Sequence, residues 1–313
     1  MDDSDRIVGN SVLLGQARDV LRRKHYGLRI EMAYLGWIKR YVLFHGKRHP
    51  EAMGEPEIED FLNHLAVERR VAAATQNQAL NALVFLYRQV LGRELAENMA
   101  LVHAKTPERL PTVFEKGEVQ RILARMDGVP RLAASLLYGT GMRLLECLRL
   151  RVQDIDFGRS QITVRAGKGN KDRATLLPPG LVPALQQQIE LASAVHAADL
   201  AEGHGEVYLP YALERKYPNA AREPGWQYVF FASKRAIDPR SGTERRHHLD
   251  DSVIQKAVKA AVRTAGIHKK GSCHTLRHSF ATHLLQRGPM GVRSPLEGMF
   301  GLQSEKDGQE HGR

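Results

Sequence analysis

A chain of 313 residues has room for two domains with cores of their own, and 42% hydrophobic content with 6% aromatics excludes a disordered polymer. Lys and Arg outnumber Asp and Glu by 46 to 35, and the net charge of +11 favours a polyanionic partner such as nucleic acid without requiring one. Two cysteines, Cys147 and Cys273, exclude a disulfide scaffold or a CxxC metal knuckle and suit a reducing cytosol. The acidic start MDDSDRIVGN has no basic leader, and no 18-residue apolar run is present, so the expectation is a cytoplasmic protein with no membrane partner.

Residues 1–10 read as a tail. From 11 to 102 the periodicity is helical, with four helices expected in VLLGQARDVLRRKH, RIEMAYLGWIKRYVLFHG, EPEIEDFLNHLAVER and ATQNQALNALVFLYRQVLG. Gly27, Gly46, Pro50, Gly54 and Gly92 punctuate them, and Thr75 is a candidate start for the fourth. In the second helix Tyr34, Trp37, Ile38, Tyr41 and Val42 form an apolar side suited to core packing. Arg29, Lys39 and Arg40 lie elsewhere on that helix and are the DNA-binding candidates. Residues 103–112, around HAKTPERLPT, hold two prolines and little apolar content and read as a linker.

The second domain spans 113–288. FEKGEVQRILARM, PRLAASLLYGTG and RLLECLRLRVQDID read as three helices, the second ending in glycine. SQITVRAGKGNKDRATLLPP then changes period: two β-branched runs flank a Gly-Lys-Gly-Asn-Lys turn, as in a hairpin. A helix is expected at LVPALQQQIELASAVHAADL, irregular chain up to about Asp250, and helices at SVIQKAVKAAVRTAG and HTLRHSFATHLLQRG. The polar, aperiodic stretch 289–313 is expected to be disordered.

His274 and Arg277 stand three apart, hence on one helix face where both reach a phosphate oxygen. Alone the pair is commonplace: a surface ion pair for Arg277 and a cap or buried hydrogen bond for His274 are the plainer readings. Upstream, TGMRLLE puts Arg143 after a glycine-ended helix with Glu146 one turn on. GKGNK sets Lys168 at a hairpin tip.

TGMRLLECLRL, VRAGKGNKDRATLLP and HTLRHSFATHLL together resemble, in order and spacing, three successive signatures of the tyrosine recombinases (phage integrase family). The resemblance covers nearly the whole chain. It implies a mainly α, two-domain protein: a four-helix, SAM-like core-binding domain, then an α+β catalytic domain with a small hairpin sheet, truncated near its C-terminus. Between about 196 and 250, LPYALERKYPNA, GWQYVFF, IDPRSG and RRHH are similar to the additional segment of integron integrases, which bind folded single-stranded recombination sites.

By that resemblance Arg143 and Arg277 grip the scissile phosphate, Lys168 protonates the leaving 5′ oxygen, and His274 moves a proton or orients the phosphate. Lys171 competes for the lysine role or touches DNA, and Glu146 is structural. Trp226, Pro239, His247 and His248 match base-contact positions, where aromatic faces stack on an unpaired base for about 1–3 kcal/mol each. Their plain readings are a core anchor for Trp226 and a surface pair or metal site for the histidines, which lack a third ligand at metal spacing. The implied partners are double-stranded and folded single-stranded DNA and further copies of the chain in a tetrameric synapse. The implied chemistry, breakage and rejoining through a 3′-phosphotyrosyl link, uses no cofactor and no metal.

One part of the family pattern is missing: after HTLRHSFATHLLQRG the sequence lacks the second His or Trp motif, and no tyrosine follows Tyr228. GVRSPLE resembles the closing segment of integron integrases, so an internal loss of about 30 residues is expected. Tyr138 and Tyr228, nearest the relevant elements, read as core or strand residues. The sequence thus supports two expectations. One is a site-specific recombinase for gene cassettes that no longer cleaves; the other is a non-catalytic DNA-binding protein that occupies sites or inhibits full-length protomers. An unrelated basic DNA binder leaves the three ordered signatures unexplained.

Overall fold

The computed structural model describes residues 3–96, 104–105, 110–165, 171–210 and 213–286, with side chains from 12 onward. Lys168 and the stretch 289–313 lie outside the described residues. The chain divides into two units, Met1–Arg109 and Leu110–Arg313.

Among the described residues the regular structure of the first unit is helical: α1 (Asp3–Arg23), α2 (Leu28–Phe44), α3 (Glu55–Asn63) and α4 (Ala73–Phe85). Helix α1 begins at Asp3 rather than near Ser11, so residues 3–10 are helix and not tail. The last two helices run on through wider π turns, His64–Glu68 and Leu86–Val90. Gly46 and Gly92 take positive φ of 61° and 64° where the chain turns after α2 and after the second π turn. Thr75 does not cap α4; Ala72 holds the N-cap position, and Thr75 lies inside the helix. The expected apolar side of α2 is buried: Trp37, Ile38 and Tyr41 pack with Ile58 and Phe61 of α3 and Leu80 and Leu83 of α4. Two buried hydroxyls satisfy each other, Tyr41 and Tyr87 at 2.9 Å, and Tyr87 also donates to the Pro50 carbonyl.

The second unit opens with α5 (Lys116–Leu123) and α6 (Gly128–Thr140). Only a short helix, α7 (Leu144–Leu148), forms from the third expected helical stretch. The following residues turn out to pair instead with a distant segment. Leu150 accepts from the Val229 N–H, Val152 donates to the Gln227 carbonyl, and Arg151 bridges Tyr228. The hairpin forms as β2 (Gln161–Val164) and β3 (Arg173–Leu176), joined at one edge by β1 (Ile155–Asp156) in an antiparallel sheet of order β1-β2-β3. Helix α8 (Val182–Ala201) follows. The stretch up to Asp250 is not wholly irregular: it holds the short helix α9 (Leu213–Lys216) and a second hairpin, β4 (Ala236–Ile237) with β5 (Glu244–Arg245). Asp250 caps α10 (Asp251–Thr264) by accepting from the Ser252 N–H, and α11 (Cys273–Gln286) ends the described chain.

Helix α6 is the hub of this unit. Leu132, Leu136 and Leu137 are buried among Val119 and Ile122 of α5, Ile254 and Val258 of α10, and Leu276 of α11. Its Tyr138 is wholly buried and hydrogen-bonded to His283 of α11 at 2.8 Å. Cys147 and Cys273 are buried and unbonded to each other, and burial pushes both thiols up, Cys273 to about 11. Among the described residues no helix is long and apolar enough to cross a membrane.

Candidate active site

Glycine sets the site's geometry. Helix α6 ends at Gly141 in the left-handed region, φ 66°, and a Cβ there would stand 2.5 Å from the Phe280 ring of α11. The close approach lets Arg277, on the same helix as Phe280, donate its Nη1 to the Gly141 carbonyl. Two residues further on, Arg143 is the N-cap of α7, so the ends of α6, α7 and α11 meet.

Glu146 organises what meets there. Its Oε2 accepts from the Arg143 backbone N–H at 2.8 Å, closing the first turn of α7, and its Oε1 accepts from Arg143 Nη1 at 2.8 Å. From β3, Arg173 adds a fork of donors at 3.2 and 2.7 Å to the two oxygens, and Arg277 Nη1 stands 3.9 Å away. Burial alone would raise the carboxyl, but the hydrogen bonds from Arg173 and Arg143 outweigh it and lower it to about 2. The carboxylate is 10% exposed, whereas Arg143 and Arg277 keep 39% and 27%. The cations are therefore fixed from behind and open in front.

Arg143, His274 and Arg277 line one cleft of about 330 Å³ together with Gln255, Lys259 and Ser272. Burial, and after it the neighbouring His278, Arg277 and Arg143, hold the His274 imidazole below its ordinary value. The His278 ring meets it edge-on, 4.4 Å between centroids. Two guanidiniums with fixed orientation bind a tetrahedral or pentavalent phosphate bidentately, and their charge counts most where negative charge accumulates. An imidazole at the same wall can accept or relay a proton.

Lys171 is exposed at the turn end of the hairpin, two residues before β3. Trp226, His247 and His248 gather around Tyr228. Trp226 packs in the small cluster of Val207, Leu209 and Tyr228; His247 stacks on Tyr228 at 6.4 Å, and His248 meets it edge-on at 5.6 Å. Pro239 is exposed in the β4–β5 turn, next to Asp238, whose carboxylate lies 3.7 Å from His247. Arg29, Lys39 and Arg40 are exposed on α2, in the other unit. Among the described residues no group of three His, Cys, Asp or Glu is placed to hold a metal.

Two functional positions escaped sequence reasoning. Arg173 braces Glu146 from the second strand of the hairpin, β3; its signal is the alternation Arg173-x-Thr175, both half-buried on one strand face, with Thr175 donating to the Thr140 carbonyl at the end of α6. Arg151 is buried between the Trp226 and Tyr228 rings, at 5.3 and 4.7 Å, and donates to the carbonyls of Trp226 and Tyr208. It ties the segment carrying the base-contact candidates to the core, and nothing in RLRVQ distinguishes it from its neighbouring arginines.

Comparison with known proteins agrees with this architecture. Residues 13–97 match the family model of the phage integrase N-terminal SAM-like domain, and residues 112–293 match that of the phage integrase family. Proteins named "Integrase/recombinase" from Escherichia coli and Pseudomonas aeruginosa are each 45% identical, over 94% of this chain and 96% of their own length. Among solved structures, a lambda integrase dimer bound to a COC′ core site has the same fold: TM-score 0.57, 15% identity, 97% of this chain and 98% of that one. The XerH recombinase in its pre-cleavage complex with difH scores 0.52 at 21% identity, over 86% and 71%. With both family models matched in order, and a relative 45% identical along almost its whole length, the chain belongs to the phage integrase family of tyrosine recombinases.

Proposed function

We propose that this chain is an integron-integrase-type recombinase that binds recombination sites and grips the scissile phosphate but does not cut it. The observation that carries this reading is the cleft: Arg143, Arg277 and His274 line it, while the tyrosines nearest the site's elements are committed elsewhere. Tyr138 is locked to His283, and Tyr228 is buried under the Arg151 guanidinium. The 313 residues contain no tyrosine after Tyr228. A further support is the alignment with the two 45% identical relatives, 322 positions long: 94% of 313 residues is about 294, so about 28 of those positions face no residue of this chain. That number matches the size of the expected internal loss of about 30 residues.

Arg143, Arg277 and His274 hold the phosphate, Lys168 or Lys171 approaches the 5′ oxygen from the hairpin, and Glu146 keeps the guanidiniums aimed. Trp226, Pro239, His247 and His248 contact bases protruding from a folded single strand, and α2 lies along duplex. The solved relatives include a lambda integrase tetramer bound to a Holliday junction. We take this chain to join such assemblies, in the cytoplasm, as an inactive protomer. Where catalytic groups act as a unit, losing the nucleophile leaves only about 10³–10⁴ over water, far too little for a phosphodiester.

The test is a nicked suicide substrate incubated with the full chain and resolved on a denaturing gel, beside a native binding assay. The expected result is a retarded complex that weakens steeply with salt and no covalent protein–DNA adduct. An adduct overturns the non-cleaving reading; binding indifferent to salt overturns the DNA-gripping one.

A further inference from the structure

We infer that Gln78 reads a base edge in duplex DNA, with its amide held in one orientation by Trp37 and with Arg40 as its companion donor, so that the pair selects guanine. The inference rests on the duplex-binding reading above.

Helix α2 exposes Arg29, Met32, Lys39, Arg40 and Leu43 at helical spacing, with the small Ala33 and Gly36 between them. A side so low in the middle lets a helix enter a groove closely, and its cations are suited to phosphates. Lys39 and Arg40 have no carboxylate partner among the described residues, although Arg22 and Arg48 in the same unit do. Alongside, α4 exposes Ala74, Gln78 and Asn81 on one face.

The two helices are joined by a contact that settles chemistry as well as packing. The Trp37 indole Nε1 donates to Gln78 Oε1 at 3.1 Å. Indole N–H is a donor only, so the atom it meets must be the amide oxygen, which fixes which way the amide faces. The Nε2 amino group is thereby turned the other way, on an exposed residue, and donates to nothing among the described residues. The Arg40 guanidinium lies over the same indole, 4.7 Å from its centroid. Trp37 itself is buried in the core. One buried ring thus contacts two exposed groups that carry donors, the Gln78 amide and the Arg40 guanidinium.

A glutamine with both amide atoms available reads adenine, whose major-groove edge offers the N7 acceptor and the N6 donor. Here the oxygen is already occupied. Guanine presents two acceptors, N7 and O6, and matches a donor-only pair. If Gln78 merely satisfies the buried indole, its replacement changes stability and leaves base preference alone.

The experiment is selection by the full chain from a pool of duplexes of randomised sequence, followed by affinity measurement on the selected duplex and its single-base variants. Wild type should favour guanine at one position by roughly tenfold. Gln78→Ala should lose that preference while keeping the salt dependence. Gln78→Glu, whose carboxylate still accepts the indole N–H, should move the preference to cytosine, whose N4 amino group donates. Trp37→Phe should let the amide turn and raise the standing of adenine. Gln78 is exposed, so its variants remove no core packing, and Gln78→Glu also keeps the acceptor for the Trp37 indole. An identical base preference in wild type and Gln78→Ala overturns the inference while sparing duplex binding. A wild-type chain that binds no duplex at low salt overturns both.

Discussion

The two units carry their positive charge in opposite ways. In the second, Arg143, Arg173 and Arg277 converge on one carboxylate, and Arg277 is also tied to the Gly141 carbonyl. In the first, Lys39 and Arg40 project from α2 with no carboxylate partner among the described residues. A tethered guanidinium loses little freedom when a phosphate arrives, which suits groups that must be aimed at one atom. An untethered one keeps its hydration and its counterions, which suits a surface that follows a polyanion of any sequence. Cations of the first kind should govern the stability of their own unit; those of the second should govern binding and leave stability untouched.

The sharpest way to break that comparison is at the glycine that brings the tethers together. Gly141→Ala meets both a left-handed backbone and the Phe280 ring, which stands where the new methyl must go. The conformational cost of about 1 kcal/mol and the overpacking cost of about 1–3 kcal/mol add to a loss of about 3 kcal/mol in the second unit. Trp226 lies in that unit and Trp37 in the other. Denaturant unfolding followed by Trp226 fluorescence in a Trp37→Phe background reads the second unit alone, and an unchanged midpoint would show that α6 and α11 do not depend on this approach.

Removing the shared carboxylate should cost somewhat less. Glu146→Gln keeps the volume but leaves three guanidiniums near one another without a counter-charge, for a loss of about 2 kcal/mol. It should also alter the acid limb. The folded carboxyl lies at about 2 against an ordinary 4.5, so its contribution is complete above pH 4.5 and is lost as pH falls through 2. Arg143 and Arg173 are more than a third exposed, and solvent screening trims that contribution to about 1–2 kcal/mol. Stability of the second unit should rise less steeply between pH 2 and 4.5 in the variant than in wild type. Parallel slopes would mean that Glu146 is not the tether.

How much of this the sequence disclosed follows from whether the causes were local. The amphipathic pattern of α2, the glycine stop of α6 and the hairpin at 161–176 depend on neighbours in the chain, and each was legible. His274 and Arg277 were legible as neighbours on one helix, and Glu146 as one turn from Arg143. The stretch RLLECLRLRVQDID misled because its helical period is real, yet after Leu148 the backbone pairs with residues 227–229, a partner that no local pattern announces. Arg151 and Arg173 were hidden for the same reason: each acts on a carboxylate or carbonyl at least 27 residues away. Thr75 was misplaced because Ala72 supplies the extended N-cap backbone without a side-chain acceptor.

The smallest effect concerns the untethered cations, and it is the one that separates the two kinds of charge. Each phosphate contact contributes about 0.9 to the slope of log affinity against log salt on B-form DNA, so Lys39→Ala with Arg40→Ala should flatten that slope by about 2. The loss in affinity should be near 1 kcal/mol per residue at moderate salt; for Lys39 it should be alike on every sequence, and for Arg40 it should be largest on the site that carries the preferred guanine. Unfolding of the first unit should stay within about 0.5 kcal/mol of wild type, because neither side chain has a carboxylate partner among the described residues to abandon. Arg40 lies over the Trp37 ring, so it is the one expected to cost a little stability; Lys39 should cost none. Titration of duplex DNA at several salt concentrations, with thermal unfolding of the same samples, measures both quantities. A pair of variants that destabilised the first unit while leaving the salt slope intact would put Lys39 and Arg40 with the tethered arginines, and the contrast between the units would fail.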